Sequence, residues 1–151
     1  MPTITPFLWF EHQAEEAMQH YLSIFRNSKT ISVNKAGDRV TAVTFELDGQ
    51  RFIALNAGSH DKFNEAVSFF VNCESQDDID YYWDRLIAGG GSESRCGWLK
   101  DRFGVSWQVV PTVLGRLMGD PNPQKVKATV EAMMKMRKLV IADLQQAYDR
   151  A

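Results

Sequence analysis

Gln13-Ala14-Glu15-Glu16-Ala17 and Ser75-Gln76-Asp77-Asp78-Ile79 are the two stretches whose likeness decides the fold. Each follows an apolar run of strand character, opens a segment of helical periodicity, and carries two acids in the first turn, where the helix dipole favours negative charge. After the first, apolar residues recur at 14, 17, 18, 21, 22 and 25, and after the second at 79, 82, 83, 86 and 87. Both sets describe one face of an amphipathic helix. Tyr21 and Trp83 take matching places on the two faces. The chain therefore contains an internal repeat, of pattern more than of identity.

Working outward, Thr3 to Phe10 reads as a strand before the first helix. Pro6 inside it suggests an edge position or a bulge. Lys29 to Asn34, Val40 to Leu47 and Arg51 to Asn56 read as strands after the helix, the last two joined by the hairpin signal Asp48-Gly49. Gly58 to Glu65 is a polar loop. Ala66 to Cys73 then reads as a buried strand and Asp77 to Ala88 as a helix, which Gly89-Gly90-Gly91 ends. Cys96 to Leu99 and Val105 to Val110 read as strands around a turn at Asp101 to Gly104. Each half is thus strand, helix, then two or three strands. Neither buries both faces of its sheet alone, so the halves are expected to pack together. After Pro111 come a short helical turn at Thr112 to Met118, a helix entered through Asn122-Pro123, and a last helix over Ala142 to Tyr148. This tail reads as an appendage for packing or dimer formation.

The composition fits this plan. The chain has 151 residues, 44% hydrophobic and 24% charged, with a formal net charge of -2. That is a single domain of ordinary globular composition, without the basic face of a nucleic-acid binder. Apolar runs are too short to span a membrane, and the N-terminus does not read as a secretory signal. Cys73 and Cys96 do not make a disulfide framework. The expectation is a reduced, cytoplasmic protein.

Few residues point to chemistry. His12, His20 and His60 show no helical metal spacing. His20 reads as a surface or half-buried side chain, and His12 and His60 as weak catalytic candidates near a cavity mouth. Cys96 is a third weak candidate, since Arg95 beside it is a cation of the kind that favours a thiolate. The triple glycine follows a helix, whereas a phosphate-binding loop follows a strand. Aromatic residues on the strands stand out: Phe7, Trp9, Phe69, Phe70, Trp98 and Trp107. Asn56 and Gln108 are unusual amides on otherwise apolar strands. Each either ties down a neighbouring loop or meets a ligand. Trp107 and Gln108 are adjacent in a strand and cannot both face one cavity.

The run Cys96-Gly97-Trp98-Leu99-Lys100-Asp101-Arg102-Phe103-Gly104-Val105-Ser106-Trp107-Gln108-Val109-Val110-Pro111 resembles the signature of the PhnB-like family. Asn56-Ala57-Gly58, Ala66-Val67-Ser68-Phe69, Asp80 to Leu86 and Glu131 to Lys138 resemble its other motifs. Members often carry the label demethylubiquinone 3-methyltransferase-like. The family belongs to the vicinal oxygen chelate superfamily, with glyoxalase, extradiol dioxygenases and bleomycin-resistance proteins. The resemblance implies an α+β fold of two βαβββ modules, about 3–58 and 66–111, forming a curled mixed sheet around a cavity. C-terminal helices over 112–151 and a homodimer complete the expectation.

The superfamily's enzymes hold a divalent metal with His and Glu side chains. By the resemblance those positions fall near Pro6, near Asn56, near Ala66 and at Gln108. None is a histidine or carboxylate, and neutral amides are weak ligands for zinc, nickel or iron. No tightly bound divalent metal and no other cofactor is therefore expected, and the methyltransferase label finds no cofactor loop. The reading is a metal-free protein that binds an aromatic or amphipathic small molecule between its modules, through Trp9, Asn56, Phe70, Trp98, Trp107 and Gln108. The alternative is an enzyme of glyoxalase, dioxygenase or methyltransferase type working through His12, His60 or Cys96. No nucleic acid or membrane partner is expected.

Overall fold

The computed structural model describes residues 3–151. The chain divides into two compact units, Met1–Phe63 and Asn64–Ala151. The first holds β1 (Phe7–Phe10), α1 (Ala14–Ile24), β2 (Ser28–Ala36), β3 (Arg39–Leu47) and β4 (Gln50–Asn56). Its strands form one sheet in the order β1-β4-β3-β2, with β1 parallel to β4 and the other pairs antiparallel. β1 is thus an edge strand, which accommodates Pro6 before it. It begins at Phe7 rather than Thr3, although the Pro6 carbonyl still accepts from the Ile53 N–H. The β3–β4 turn is Asp48-Gly49 with φ of 50° and 83°. Both residues are left-handed, as a two-residue hairpin turn requires.

Alternation along these strands gives the sheet two unlike faces. Leu8, Phe10, Val43, Phe45, Leu47, Phe52 and Ala54 are buried on the face that α1 covers with Ala14, Ala17, Met18, Tyr21 and Ile24. Phe45 and Phe52 are cross-strand partners whose rings stack at 5.5 Å, and Tyr21 lies 6.3 Å from Phe45. Burying aromatic side chains of this size supplies much of a small unit's stability. The helix has no side-chain cap of its own at Gln13.

The second unit repeats the plan with β5 (Phe69–Cys73), α2 (Gln76–Ile87), β6 (Ser92–Glu93), β7 (Trp98–Lys100) and β8 (Ser106–Pro111). The sheet order is β5-β8-β7-β6, again with the first strand parallel to the last. Both βαβββ modules are therefore present, as two separate four-stranded sheets in an α+β chain. The two-residue β6 carries no signal in the sequence. β5 starts three residues later than its apolar run, and β7 starts at Trp98 because Cys96 and Gly97 take φ of 58° and 84°, which no strand tolerates. Ser75 caps α2 by accepting from the Asp78 N–H at 3.1 Å. Ile79, Trp83 and Leu86 are buried against the sheet, and Trp83 donates its indole N–H to Glu93 at 3.1 Å.

The tail forms α3 (Thr112–Met118), α4 (Pro123–Met134) and α5 (Ile141–Arg150). Asn122 caps α4 and Pro123 stands at its first turn, as the sequence predicts. The tail is more than an appendage. Val110 of β8 shares one apolar cluster with Leu114, Leu117, Leu139 and Leu144. Gln76 at the start of α2 donates to the Leu139 carbonyl at 3.0 Å and accepts from the Ile141 N–H at 2.8 Å. The Cys96 and Gly97 N–H groups donate to the Met136 and Arg137 carbonyls, both at 2.9 Å. These bonds satisfy backbone groups at the α4–α5 break, so the tail and the second sheet fold as one piece.

Candidate functional site

The signature run 96–111 folds around Asp101. This carboxylate is 3% exposed. One oxygen accepts from the Phe103 and Val105 N–H groups at 2.9 and 3.0 Å, and the other from the Trp107 indole at 2.9 Å. The turn and the tryptophan are thus locked together by charge-assisted bonds. Trp107 is 3% exposed on the helix-facing side of the sheet, with Leu99 and Val109. It belongs to the core.

Gln108 consequently points to the opposite face. Strand register assembles a row there, because β8's Gln108 is the partner of Phe70 on β5 and of Trp98 on β7. Phe70 is 51% exposed, while Trp98 and Gln108 are half-buried. Gln108 donates to the Ser68 hydroxyl at 2.9 Å. The neighbouring row holds Ser106 paired with Lys100, and Lys100 paired with Ser92. Lys100 forms an ion pair with Glu65, and this holds the Glu65 carboxyl below its usual range. A cleft of about 180 Å³ opens there, lined by residues that include Glu65, Ser92, Ser94, Trp98, Lys100 and Ser106. Sequence reading missed Ser68, Lys100 and Glu65. The i, i+2 alternation from Trp98 to Lys100 and from Ser68 to Phe70 was the available signal.

In the first unit, the face away from α1 carries Trp9 beside Leu55 and Ala42, and Phe7 beside Ile53 and Thr44. The Trp9 indole donates to the Gly58 carbonyl at 2.9 Å, and the His60 ring lies 6.3 Å from it. His60 is exposed and sits 3.3 Å from Asp61. Asn56 lies on the other side, at the helix. Its carbonyl oxygen accepts from the Ala14 N–H at 2.8 Å and its amide donates to the Val40 carbonyl at 3.1 Å. Asn56 thus supplies the cap that Gln13 does not. His12 is exposed and lines a separate cleft of about 580 Å³ with Glu11, Glu15, Glu16 and Arg39 among its walls.

The two cysteines differ sharply. Cys73 is buried, and its thiol is pushed up to about 12 by burial, then by Asp78 and Glu74. Cys96 is half-buried, with its sulfur 3.6 Å from that of Met134.

The resemblance places the superfamily's metal ligands near Pro6, near Asn56, near Ala66 and at Gln108. Pro6 and Ala66 offer no donor, both ends of the Asn56 amide are bonded to backbone, and Gln108 is a neutral amide engaged with Ser68. Among the described residues, no three His, Cys, Asp or Glu side chains are grouped to hold a metal ion. No helix among them is long and apolar enough to cross a membrane.

The 3-demethylubiquinone-9 3-methyltransferase family profile matches residues 2–110. A PhnB protein from Bacillus cereus is 32% identical, with a TM-score of 0.66 over 74% of this chain and 100% of its own. A protein from Pseudomonas aeruginosa is 19% identical, with a TM-score of 0.64 over 74% of this chain and 98% of its own. The fosfomycin resistance protein of Listeria monocytogenes, solved with manganese(II), is 16% identical, with a TM-score of 0.58 over 77% of this chain and 97% of its own. The last two likenesses concern the fold alone. No curated protein matches the chain. With two βαβββ modules, the signature run around Asp101 and the first two of these findings together, the chain belongs to the PhnB-like, 3-demethylubiquinone-9 3-methyltransferase family.

Proposed function

We propose that this chain is a small-molecule-binding protein that works without a resident divalent metal, and that its ligand is aromatic or amphipathic. The observation that carries the reading is the row Phe70–Gln108–Trp98 on the second sheet. It sets two aromatic faces on either side of an amide, on the side of the sheet that α2 does not cover. A mostly apolar surface with a few fixed polar groups is the usual character of a ligand site. Phe70 in particular exposes an aromatic ring that nothing in the folding of its own sheet requires. Trp9, held by its bond to Gly58, is the corresponding aromatic wall of the first sheet. Asn56 and Trp107 support these walls from behind, through the α1 cap and the Asp101 bond.

The lack of ionisable ligands at the superfamily's metal positions supports binding over metal-assisted chemistry. We propose further that the protein acts in the cytoplasm, as a homodimer. Its two thiols, one deeply buried, need no oxidising compartment.

The test is elemental analysis of the purified protein, together with titration by the uncharged fluorophore N-phenyl-1-naphthylamine. The reading expects metal far below one ion per chain and saturable probe binding, weakened roughly tenfold, or about 1.4 kcal/mol, in Phe70→Ala. Stoichiometric zinc, manganese or iron, or probe binding indifferent to Phe70→Ala, would sink it. Sedimentation analysis decides the dimer: a monomer at tens of micromolar would remove it.

A further inference from the structure

The face that carries Phe70 and Trp98 also carries one cation, Lys100, and its position says what kind of ligand fits. Register places Lys100 one row from Trp98 on the same face. It is the cation among the residues lining the 180 Å³ cleft. That volume is below the range of pockets that enclose a whole drug-sized molecule. The cleft therefore suits one functional group of a ligand, with the remainder lying on the aromatic row.

The groups around Lys100 divide into two sets. Glu93 lines the same cleft but is committed to the Trp83 indole at 3.1 Å and to Arg137 at 3.7 Å. The Ser106 hydroxyl is buried and donates to the Asn64 carbonyl at 3.2 Å. Among the described residues Glu65 is the ion-pair partner of Lys100, and its side chain is 64% exposed against 38% for the lysine. An ion pair this open to solvent is weak and easily exchanged. Glu65 stands where an oxyanion of a ligand would stand.

We infer that the site takes an aromatic molecule bearing a single monovalent oxyanion, a carboxylate or sulfonate, whose charged group displaces Glu65 from Lys100 while its ring lies against Trp98 and Phe70. This rests on the binding reading above and adds the ligand's charge to it. The proton affinity of Glu65 is lowered chiefly by its hydrogen bond from Lys100, which reports the same contact that a competing anion would take over. Lys100 acts as a point charge with a long apolar stem, so an exchange of partners needs no movement of the strand.

Two fluorophores with one aromatic skeleton separate the possibilities: anionic 8-anilinonaphthalene-1-sulfonate and uncharged N-phenyl-1-naphthylamine. Each is titrated into wild type, Lys100→Met and Glu65→Gln. Lys100→Met is expected to weaken the sulfonate about tenfold and to leave the uncharged probe within about twofold. Glu65→Gln is expected to tighten the sulfonate about threefold, because the competitor for Lys100 is gone. The Glu65→Gln result has the opposite sign to that of a damaged fold, so it decides the matter if Lys100→Met is destabilised. Binding of the uncharged probe with sulfonate affinity unchanged in both variants overturns the oxyanion and leaves the aromatic site standing. Equal weakening of both probes in Lys100→Met, without tightening in Glu65→Gln, also overturns it. Failure of wild type to bind either probe overturns this inference and the binding reading together.

Discussion

At the scale of single residues, Asp101 and Cys73 are the buried groups with most at stake. Asp101 accepts three N–H bonds away from solvent. Asp101→Asn keeps the shape but turns an N–H toward one of those donors. It is expected to cost about 1–3 kcal/mol, the penalty of a buried polar group left unpaired. Urea unfolding followed by tryptophan emission measures it, and a loss under about 0.5 kcal/mol would contradict the bonding described. Cys73 gives a pH dependence. Its thiol rises from 9.0 to about 12 on folding, chiefly by burial. Between those values the folded state holds a proton that the unfolded state has released, so stability falls as pH rises from 9 toward 12. One proton sets a slope of at most about 1.4 kcal/mol per pH unit. Cys73→Ala should flatten that part of the stability profile, and an unchanged slope would show that another group sets it.

At the scale of elements, Asn56 joins the end of β4 to the start of α1 and to β3. Asn56→Ala removes a helix cap and leaves the Val40 carbonyl without its donor. The expected loss is about 1–2 kcal/mol. Asn56→Asp should recover the cap but not the Val40 bond, and so fall between. Denaturant midpoints order the three proteins, and an alanine variant as stable as wild type would remove Asn56 from this role. The helices and most strands were legible because their apolar residues keep to one period over many positions. β6 was not, since two residues carry no period, and its pairing with β7 is closed by the turn over 94–97, where the Ser94 N–H donates to the Trp98 carbonyl at 2.9 Å. The site was legible in part. Aromatic residues on strands drew attention to Phe70 and Trp98, and alternation required Trp107 and Gln108 to part. Which of the two was core depended on Asp101, six residues away in sequence, whose bond to the indole no pattern announces. Lys100 and Glu65 look like ordinary surface charges until register places the lysine beside Trp98.

At the scale of the whole molecule, the repeat is unequal. The second module shares its apolar cluster and its backbone bonds with the tail, whereas in the first unit α1 covers one face of the sheet and Phe63 packs edge-on against Phe10 at 5.1 Å. Ending the chain after Lys138 removes Leu139, Leu144 and Tyr148 from that cluster, takes the Ile141 N–H from the Gln76 amide oxygen and the Leu139 carbonyl from its amide, and leaves that amide only Asp80 at 3.1 Å. The truncated protein is expected to lose the cooperative unfolding of the second unit. Calorimetry and limited proteolysis read this out, and a truncation with an unchanged melting transition would refute it. The edge strand β2 is guarded by means of its own. It exposes Ile31 and Val33, but two register shifts bend it and Lys29 and Lys35 stand along it. Such features discourage another strand from adding to the edge.

The double bond made by Gln76 bears on how relatives of this chain can be recombined. A chimera that draws α2 from one parent and the last helices from another inherits a mismatch unless position 76 can both give and take a hydrogen bond. A crossover at the Phe63–Asn64 boundary falls where the two units divide and meets no such demand.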